Sequence, residues 1–194
     1  MSKLIVDISQ SADGYVAGPG VALDAPFGSA GLRLHRWHGL DGAAPTEGDK
    51  AASAAMFDNT GAIVLGRRMF DVGEEPGGAD GAFGLPCFVV TSRPRPVLVK
   101  GPTTFTFVTD GLLSAIALAH AAAGDRDIVV PGGAAVVQQC LAAGVVDELR
   151  VHVVPVLLGG GTPLFGAVPA HRELEPTQVV ATHLATHITY RLSR

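Results

Sequence analysis

Charge is scarce in this sequence, and positive charge is scarcer than negative charge. Lys and Arg together make up 14 of the 194 residues, the formal net charge is −4, and no run is rich in Lys or Arg. Proteins that bind nucleic acid need concentrated positive charge to neutralise phosphates. We therefore expect no nucleic-acid partner.

Cysteine is also rare. The two cysteines, Cys87 and Cys140, lack the spacing of metal ligands and are too few for a disulfide framework. Both lie in apolar runs, which predicts buried free thiols rather than a metal site.

A long apolar run is missing from the N-terminus. The opening residues, MSKLIVDISQSADG, turn polar after a few apolar positions, which predicts neither a signal peptide nor a membrane span. We therefore expect a cytoplasmic protein with no membrane partner. The composition, 47% hydrophobic and 16% charged, is typical of a globular protein. Without an internal repeat or linker, residues 1–194 are predicted to form one domain.

Short apolar strands alternate with helical stretches along the chain. This order predicts an α/β sandwich with a mostly parallel central sheet and an antiparallel C-terminal hairpin. The predicted strands are Lys3–Ser9, Ala62–Leu65, Cys87–Thr91, Thr104–Val108, Ile128–Val130, Glu148–Val156, Gln178–Thr182 and a strand that alternates up to Leu192. The predicted helices are Leu32–His38, Asp49–Asn59, Arg67–Val72, one capped by Asp110, and Ala134–Ala143.

The sequence Gly132-Gly133 separates a predicted strand from a predicted helix. Such a turn leaves unpaired backbone N–H groups at the helix N-terminus, where an anion such as phosphate can bind. Adjacent glycines also let a ligand approach the backbone closely. The alternative is a simple tight turn, since the three spaced glycines of the common dinucleotide-binding fingerprint are missing.

Two further turns follow predicted strands and carry phosphate-binding side chains. Gly66, Arg67 and Arg68 open a helix, where the guanidinium groups and the helix dipole favour the same anion. Thr91, Ser92 and Arg93 can together hydrogen-bond a 2′-phosphate, the group that distinguishes NADP from NAD. A solvated arginine pair and a plain surface turn are the alternatives for each taken alone. Three such turns at strand ends predict one crevice that binds a nucleotide.

Several other residues are candidates for contact with a substrate. Asp13-Gly14 is a turn signal directly after the first strand, and its loop is a candidate lid or wall. His152 can exchange a proton near neutral pH, but its alternation with apolar neighbours is also typical of a polar sheet face or a dimer seam. Trp37 is either a wall of the substrate pocket or an anchor of the core. Asp147 and Glu148 are adjacent in a strand and face opposite ways, which predicts a structural role.

The chain resembles a known family in four segments taken in order: SADGYVAG, LGRRMFD, PCFVVTSRPR, and the block from Gly132 to Phe165 that includes GVVDEL and PVLLGGG. In this order they resemble the dihydrofolate-reductase-like superfamily, specifically the branch that contains the reductase domain of bifunctional riboflavin-biosynthesis enzymes. The resemblance covers nearly the whole chain. It implies a three-layer sandwich, NADPH as cofactor, hydride transfer to a pteridine-like or pyrimidine-like ring, and a homodimer.

The resemblance also implies roles for individual residues. Cofactor phosphates would be held by Gly66, Arg67 and Arg68, the 2′-phosphate by Thr91, Ser92 and Arg93, and the pyrophosphate by Gly132, Gly133, Ala134 and Ala135. Asp13 and Gly14 would lie near the nicotinamide and the substrate, with Trp37 beside the substrate.

The proton donor is where this sequence departs from the family. The family's acid on the helix before the Gly-Arg turn corresponds to Lys50, with Asp49 adjacent, and the threonine that supports this acid corresponds to His152. Asp13, Asp49 and His152 are therefore the catalytic candidates, with solvent as an alternative donor.

The predicted function is that of an NADPH-dependent reductase of a heterocyclic small molecule, similar to 5-amino-6-(5-phosphoribosylamino)uracil reductase. The H-x-E…P-C-x-x-C deaminase signature is missing, which favours a stand-alone reductase. A non-catalytic nucleotide-binding or pterin-binding protein and a true dihydrofolate reductase remain the alternatives.

Overall fold

The computed structural model describes residues 2–75, 78–79, 81, 83–166 and 171–192. Its strands, in chain order, are β1 (Leu4–Ser11), β2 (Tyr15–Ala17), β3 (Thr60–Gly66), β4 (Pro86–Val90), β5 (Leu98–Lys100), β6 (Thr103–Val108), β7 (Asp127–Gly132), β8 (Glu148–Val154), β9 (Thr162–Pro163), β10 (Leu174–Ala181) and β11 (Thr186–Leu192). Its helices are a 3-10 helix (Gly31–His38), α1 (Glu47–Ala55), the short α2 (Arg67–Met69), which continues as a π turn over Phe70–Glu74, α3 (Leu112–Ala123) and α4 (Ala134–Ala143).

Nine strands form one sheet in the order β10-β11-β8-β1-β7-β3-β4-β6-β5. Neighbours from β8 to β6 run parallel, whereas β10-β11, β11-β8 and β5-β6 pair antiparallel. β2 and β9 form a separate two-stranded ribbon. The prediction of a mostly parallel sheet with an antiparallel C-terminal hairpin is confirmed.

The central strands of the sheet are buried on both faces. Leu4, Val6 and Ile8 of β1 share a core with buried residues of α3 and α4. Because side chains alternate along a strand, Ile5 lies on the other face, in a core with Phe70 and Met56. The 3-10 helix and α1 cover this second face at the β8 end, where Trp37 is fully buried. The central strands are apolar runs because each is covered twice.

Several predicted boundaries were wrong. Helix α1 begins before Asp49 because the Thr46 side chain and the Asp49 carboxylate form a reciprocal capping box, and it ends before Asn59, whose φ is +56°. Asp110 does not cap α3: Gly111, with φ +92°, is the N-cap and makes no side-chain cap bond. Strand β8 ends at Val154, before Pro155, which lacks the N–H that a ladder needs.

Three short strands were missed, namely β2, β5 and β9. Each has only two or three residues, too few for a periodic pattern. By contrast, the helix predicted over Ala134–Ala143 is confirmed, with Gly144 in the left-handed conformation at its C-terminus. Part of the loop predicted over 74–84 lies outside the described residues.

The cysteines behave as the sequence predicts. Cys87 and Cys140 are buried and neither forms a disulfide bond with another described residue. Burial raises the pKa of the Cys140 thiol to about 12, so this thiol is unreactive at neutral pH. Among the described residues, no three potential metal ligands come together, and no helix is long and apolar enough to cross a membrane.

Candidate active site

The three phosphate-competent turns lie side by side. They follow β7, β3 and β4, which are neighbours in the sheet and run parallel. The register pairs Leu65 with Gly132 and Gly66 with Val90, so these strands end level with one another. Ligands of open α/β sheets bind at such carboxyl ends.

Glycine makes room where these turns meet. A Cβ atom on Gly66 would lie 3.2 Å from Val136 Cγ2 of α4 and 3.6 Å from Gly133 N, so the turn after β3 lies close to the start of α4. A Cβ atom on Gly133 would meet no heavy atom within 4 Å, so there is open space beside the helix N-terminus. Gly132 has φ +144°, a conformation that glycine adopts without strain.

The N-terminus of α4 presents backbone donors to this space. The first helical N–H groups that bond within the helix are those of Val136 and Val137, which both donate to Gly133 O. Gly133 is the N-cap and no side chain caps the helix. The N–H groups of Ala134 and Ala135 precede that first bond and point out of the helix end. This arrangement can receive a pyrophosphate.

Asp71 connects two of the predicted arginines. Arg67 Nε lies 2.6 Å from Asp71 Oδ1, and Arg93 Nη2 lies 3.0 Å from Asp71 Oδ2. The backbone N–H of Arg93 also donates to Thr91 Oγ1 at 3.0 Å. The side chains of Arg68 and Ser92 are exposed. Guanidinium groups from the turns after β3 and β4 therefore converge on the Asp71 carboxylate.

Asp13 fastens two loops together. Its carboxylate accepts hydrogen bonds from the Ser11 hydroxyl at 2.5 Å and from Leu158 N and Gly159 N at 3.1 and 2.7 Å. The Ser11 hydrogen bond, helped by the two backbone bonds, lowers the pKa of Asp13. An ionised, exposed Asp13 is suited to holding the loop in place and poorly suited to donating a proton. Its predicted catalytic and substrate-binding roles stay predictions, as does the substrate role of Gly14, whose carbonyl accepts from Leu164 N.

Four buried titratable side chains form a continuous hydrogen-bonded chain. His152 Nε2 lies 2.9 Å from Asp7 Oδ1, and His152 Nδ1 lies 2.8 Å from His187 Nδ1. At the far end, His187 Nε2 lies 3.0 Å from Asp49 Oδ1. All four residues are at most 6% exposed. We call this set the Asp–His–His–Asp chain.

The Asp–His–His–Asp chain crosses the sheet. Its members come from β1 (Asp7), β8 (His152) and β11 (His187), which are adjacent strands, and from α1 above them (Asp49). The register places His187 directly opposite His152. Because β1 also pairs with β7, Asp7 is the member of the Asp–His–His–Asp chain that lies nearest the Gly132-Gly133 turn.

Asp49 is fully satisfied by hydrogen bonds. Oδ2 accepts from Thr46 N and Thr46 Oγ1, both at 2.7 Å, and Oδ1 accepts from Thr182 Oγ1 at 2.8 Å as well as from His187. Burial alone would raise the pKa of Asp49, but the hydrogen bonds from Thr46, Thr182 and His187 outweigh it and lower the pKa to about 2. Asp49 is thus a permanent acceptor at neutral pH, and its predicted role as proton donor stays a prediction that this environment disfavours.

Trp37 packs over His152, with ring centroids 4.2 Å apart. Its Nε1–H donates to Ser9 Oγ at 2.9 Å, and the residue is 1% exposed. This burial supports the core reading of Trp37, and its substrate role stays a prediction. The structural role predicted for Asp147 and Glu148 agrees with their contacts, since Asp147 accepts from Leu4 N and Glu148 pairs with Lys3 and Arg150.

Sequence reasoning missed Asp7, Asp71 and His187. Asp7 is the one charged residue in the buried run LIVDIS, and a charge inside an apolar strand is a signal that it has a buried partner. His187 was recognised only as a polar position of an alternating strand. Its pairing with His152 depends on strand order, which the sequence pattern does not contain.

Comparison with known protein families gives a match for this sequence. The sequence model of the RibD C-terminal domain family matches residues 2–188. No curated protein matches the chain.

Solved structures share the fold. A candidate riboflavin biosynthesis protein from Shewanella sp. PV-4 has a TM-score of 0.76 at 23% identity, with 99% of each chain covered. A pyrimidine reductase-like protein from Corynebacterium diphtheriae has a TM-score of 0.64 at 12% identity, covering 100% of this chain and 92% of the other. The riboflavin biosynthesis reductase of Saccharomyces cerevisiae has a TM-score of 0.58 at 13% identity, covering 100% and 89%. The predicted dihydrofolate-reductase-like fold and family are confirmed.

The environment of Asp49 predicts a pH-dependent stability. Because its folded pKa is below the unfolded value of 3.8, its contribution is fully present above about pH 4 and is lost as the pH falls toward 2. Asp49→Asn should therefore lower the free energy of unfolding by about 2 kcal/mol near pH 7, and the difference from wild type should shrink below pH 4. Urea denaturation at a series of pH values measures it.

The matched control is Asp24→Asn, because Asp24 is exposed. This variant should unfold at the same urea concentration as wild type. If the free energy of unfolding differed between wild type and Asp49→Asn by the same amount at every pH, the ionised, hydrogen-bonded state of Asp49 would be contradicted.

Proposed function

Because this chain belongs to the RibD C-terminal domain family, we propose that it is an NADPH-dependent reductase that transfers hydride to a planar nitrogen heterocycle of the pteridine or pyrimidine type. The observation that carries the proposal is the crevice at the carboxyl ends of β7, β3 and β4. There, glycine-made space, free helix N–H groups and converging arginines adjoin one another. This combination is suited to a phosphorylated cofactor.

The chain's own residues would divide the binding of NADPH among them. Gly132 to Ala135 would hold the pyrophosphate with backbone donors, and Gly66 to Arg68 would hold phosphate oxygens from the neighbouring turn. Thr91 to Arg93 would surround the adenosine 2′-phosphate. Asp71 already holds Arg67 and Arg93 in place, so the side-chain entropy cost of binding is reduced. The bound cofactor supplies the hydride.

The heterocycle would bind next to the cofactor crevice, on the α1 side of β1 and β7. Reduction of a C=N or C=O bond consumes one hydride and one proton. His152 is the proposed proton donor, since Asp13 and Asp49 are both held as ionised acceptors. This assignment favours a riboflavin-type reductase over a true dihydrofolate reductase. In the latter an acid would supply the proton from the position that corresponds to Lys50, with Asp49 adjacent.

A spectrophotometric screen tests the reductase activity. NADPH oxidation at 340 nm should occur with at least one member of a set of pterins, aminouracil ribosides and quinones. Saturable NADPH binding without oxidation across the set would instead support the alternative of a non-catalytic nucleotide-binding or pterin-binding protein. An unchanged melting temperature at millimolar NADPH would contradict both, since a ligand of the native state must stabilise it.

Arg93→Ala tests the 2′-phosphate site. Loss of one charge-assisted hydrogen bond should weaken the binding free energy of NADPH by about 1.5 kcal/mol, so its Kd should rise about ten-fold. The Kd for NADH should hardly change, because NADH has no 2′-phosphate. Arg33→Ala, at an exposed arginine of the 3-10 helix, is the matched control. Equal losses for the two cofactors would refute the role of Arg93.

We propose further that two copies of the chain form a homodimer through the sheet edge at β10. All but one of the β10 residues are exposed, and the apolar side chain of Val179 is 60% exposed at this free edge. Sedimentation should give twice the chain mass of 19.9 kDa, and Val179→Lys should shift the equilibrium toward monomer. Val97→Lys, at a similarly exposed valine near β5, should not. A wild-type monomer would contradict this proposal.

A further inference from the structure

The Asp–His–His–Asp chain contains a fixed number of protons. A carboxylate only accepts hydrogen bonds, so the contacts with Asp7 and Asp49 require a proton on Nε2 of His152 and on Nε2 of His187. The 2.8 Å contact between the two Nδ1 atoms requires one more proton, because two bare nitrogens would repel each other. Three protons on two imidazoles give the pair one positive charge.

The extra proton belongs to His152. Burial lowers the pKa of His187, and the hydrogen bond with Asp49 opposes this only in part. The geometry gives the same assignment, because Asp49 already accepts three hydrogen bonds from threonine residues, whereas Asp7 Oδ2 accepts none from the described residues. Asp7 is therefore the carboxylate that needs a cation beside it. His187 is then the neutral ring, and its bare Nδ1 accepts a hydrogen bond from His152 Nδ1–H. His152 is then an imidazolium that donates to Asp7 on one side and to His187 on the other.

Few charged groups surround His152. Asp7 on β1 faces it directly, and Arg150 on β8 lies 3.6 Å from the other oxygen of Asp7. From α1, Asp49 acts through His187, and from the 3-10 helix His38 stacks on Trp37 with centroids 3.6 Å apart. Arg150 is also held by Glu148 at 2.7 Å. The carboxylate of Asp7 directly and that of Asp49 through His187 therefore compensate the positive charge of the imidazolium.

A cavity of about 600 Å³ reaches the Asp–His–His–Asp chain from the side of α1 that faces away from the cofactor crevice. It lies between α1 and the strands β8, β10 and β11, and both histidines are among its lining residues. The cavity exists because α1 presents only small side chains there, namely Gly48, Ala51, Ala52 and Ala55. It is large and polar enough to contain water.

We propose that the Asp–His–His–Asp chain is a proton store for the reductase reaction, with the exchangeable proton on His152, with His187 as the positioning residue that keeps it there, and with the cavity as the route by which solvent replaces it. This inference rests on the proposed reductase function. Neither His187 nor the cavity was part of the predicted site.

The proton step balances in a simple way. The N–H bond of His152 that faces Asp7 breaks, its electron pair stays on the ring, and the proton moves to Asp7 and from there to the substrate that has accepted the hydride. Asp7 suits this step because its second oxygen, Oδ2, is buried and accepts no hydrogen bond from the described residues. The neutral His152 then regains a proton from water in the cavity.

NMR of the protein labelled with 15N-histidine tests the store without any substrate. Ring nitrogens that carry a proton and bare ring nitrogens have distinct 15N shifts, so each histidine reports its own state. Near pH 7, both nitrogens of His152 should carry protons, and Nδ1 of His187 should be bare. A neutral His152 in the wild-type protein would overturn the proposal.

His187→Phe keeps an aromatic ring beside Trp37 but cannot accept a hydrogen bond. In this variant one ring nitrogen of His152 should become bare, whereas His183→Phe, at an exposed histidine of the same hairpin, should leave His152 unchanged. An unchanged His152 in His187→Phe would show that His187 does not position the proton. If His187→Phe fails to fold, the wild-type spectrum decides.

Kinetics separate a store that serves catalysis from one that is only structural. With a substrate from the screen, His187→Phe should lower kcat by about ten-fold or more with little change in the KM for NADPH, and the decline of kcat with rising pH should begin at lower pH. A uniform loss at every pH would overturn the catalytic link. If the screen finds no turnover, the proposed function fails while the NMR result still decides whether the store exists.

Discussion

The parallel pairing of β1, β7, β3 and β4 is the constraint on which the rest of the molecule depends. Parallel strands must all end at the same edge of the sheet, so three turns that are far apart in the sequence come together after β7, β3 and β4. The same pairing places Asp7 of β1 beside β7 on one side and beside His152 of β8 on the other. The crevice at the ends of β7, β3 and β4 and the Asp–His–His–Asp chain are thus two parts of one sheet.

Burying four titratable groups under a helix is costly unless each has a partner. Here the ionised Asp49 is compensated by four hydrogen bonds, and Asp7 lies 2.9 Å from His152 Nε2 and 3.6 Å from the Arg150 guanidinium. Conversely, the small residues of α1 leave a cavity next to the histidines, where tighter packing would have added stability. The proposed exchange of protons with solvent would account for both features.

The features that the sequence could predict are those formed by residues close together in the chain. Local patterns were sufficient for α4, whose bounds are as predicted, and for the glycine and arginine turns, because the residue types that make them are adjacent in the chain. The start of α1 was missed although its signal is also local, since Thr46 and Asp49 have the three-residue spacing of a capping box. The pairing of His152 with His187 and with Asp7 needs the order of three strands. No period or motif contains that order, so the polar chain is visible only in the fold.

Backbone amide shifts during an NADPH titration test the central claim most directly, namely that the edge formed by β7, β3 and β4 binds the cofactor. The account predicts saturable changes that are largest at Gly132 to Ala135, Gly66 to Arg68 and Thr91 to Arg93, with smaller changes at β10 and β5. Saturable changes centred elsewhere on the chain, or no changes at millimolar NADPH, would contradict it.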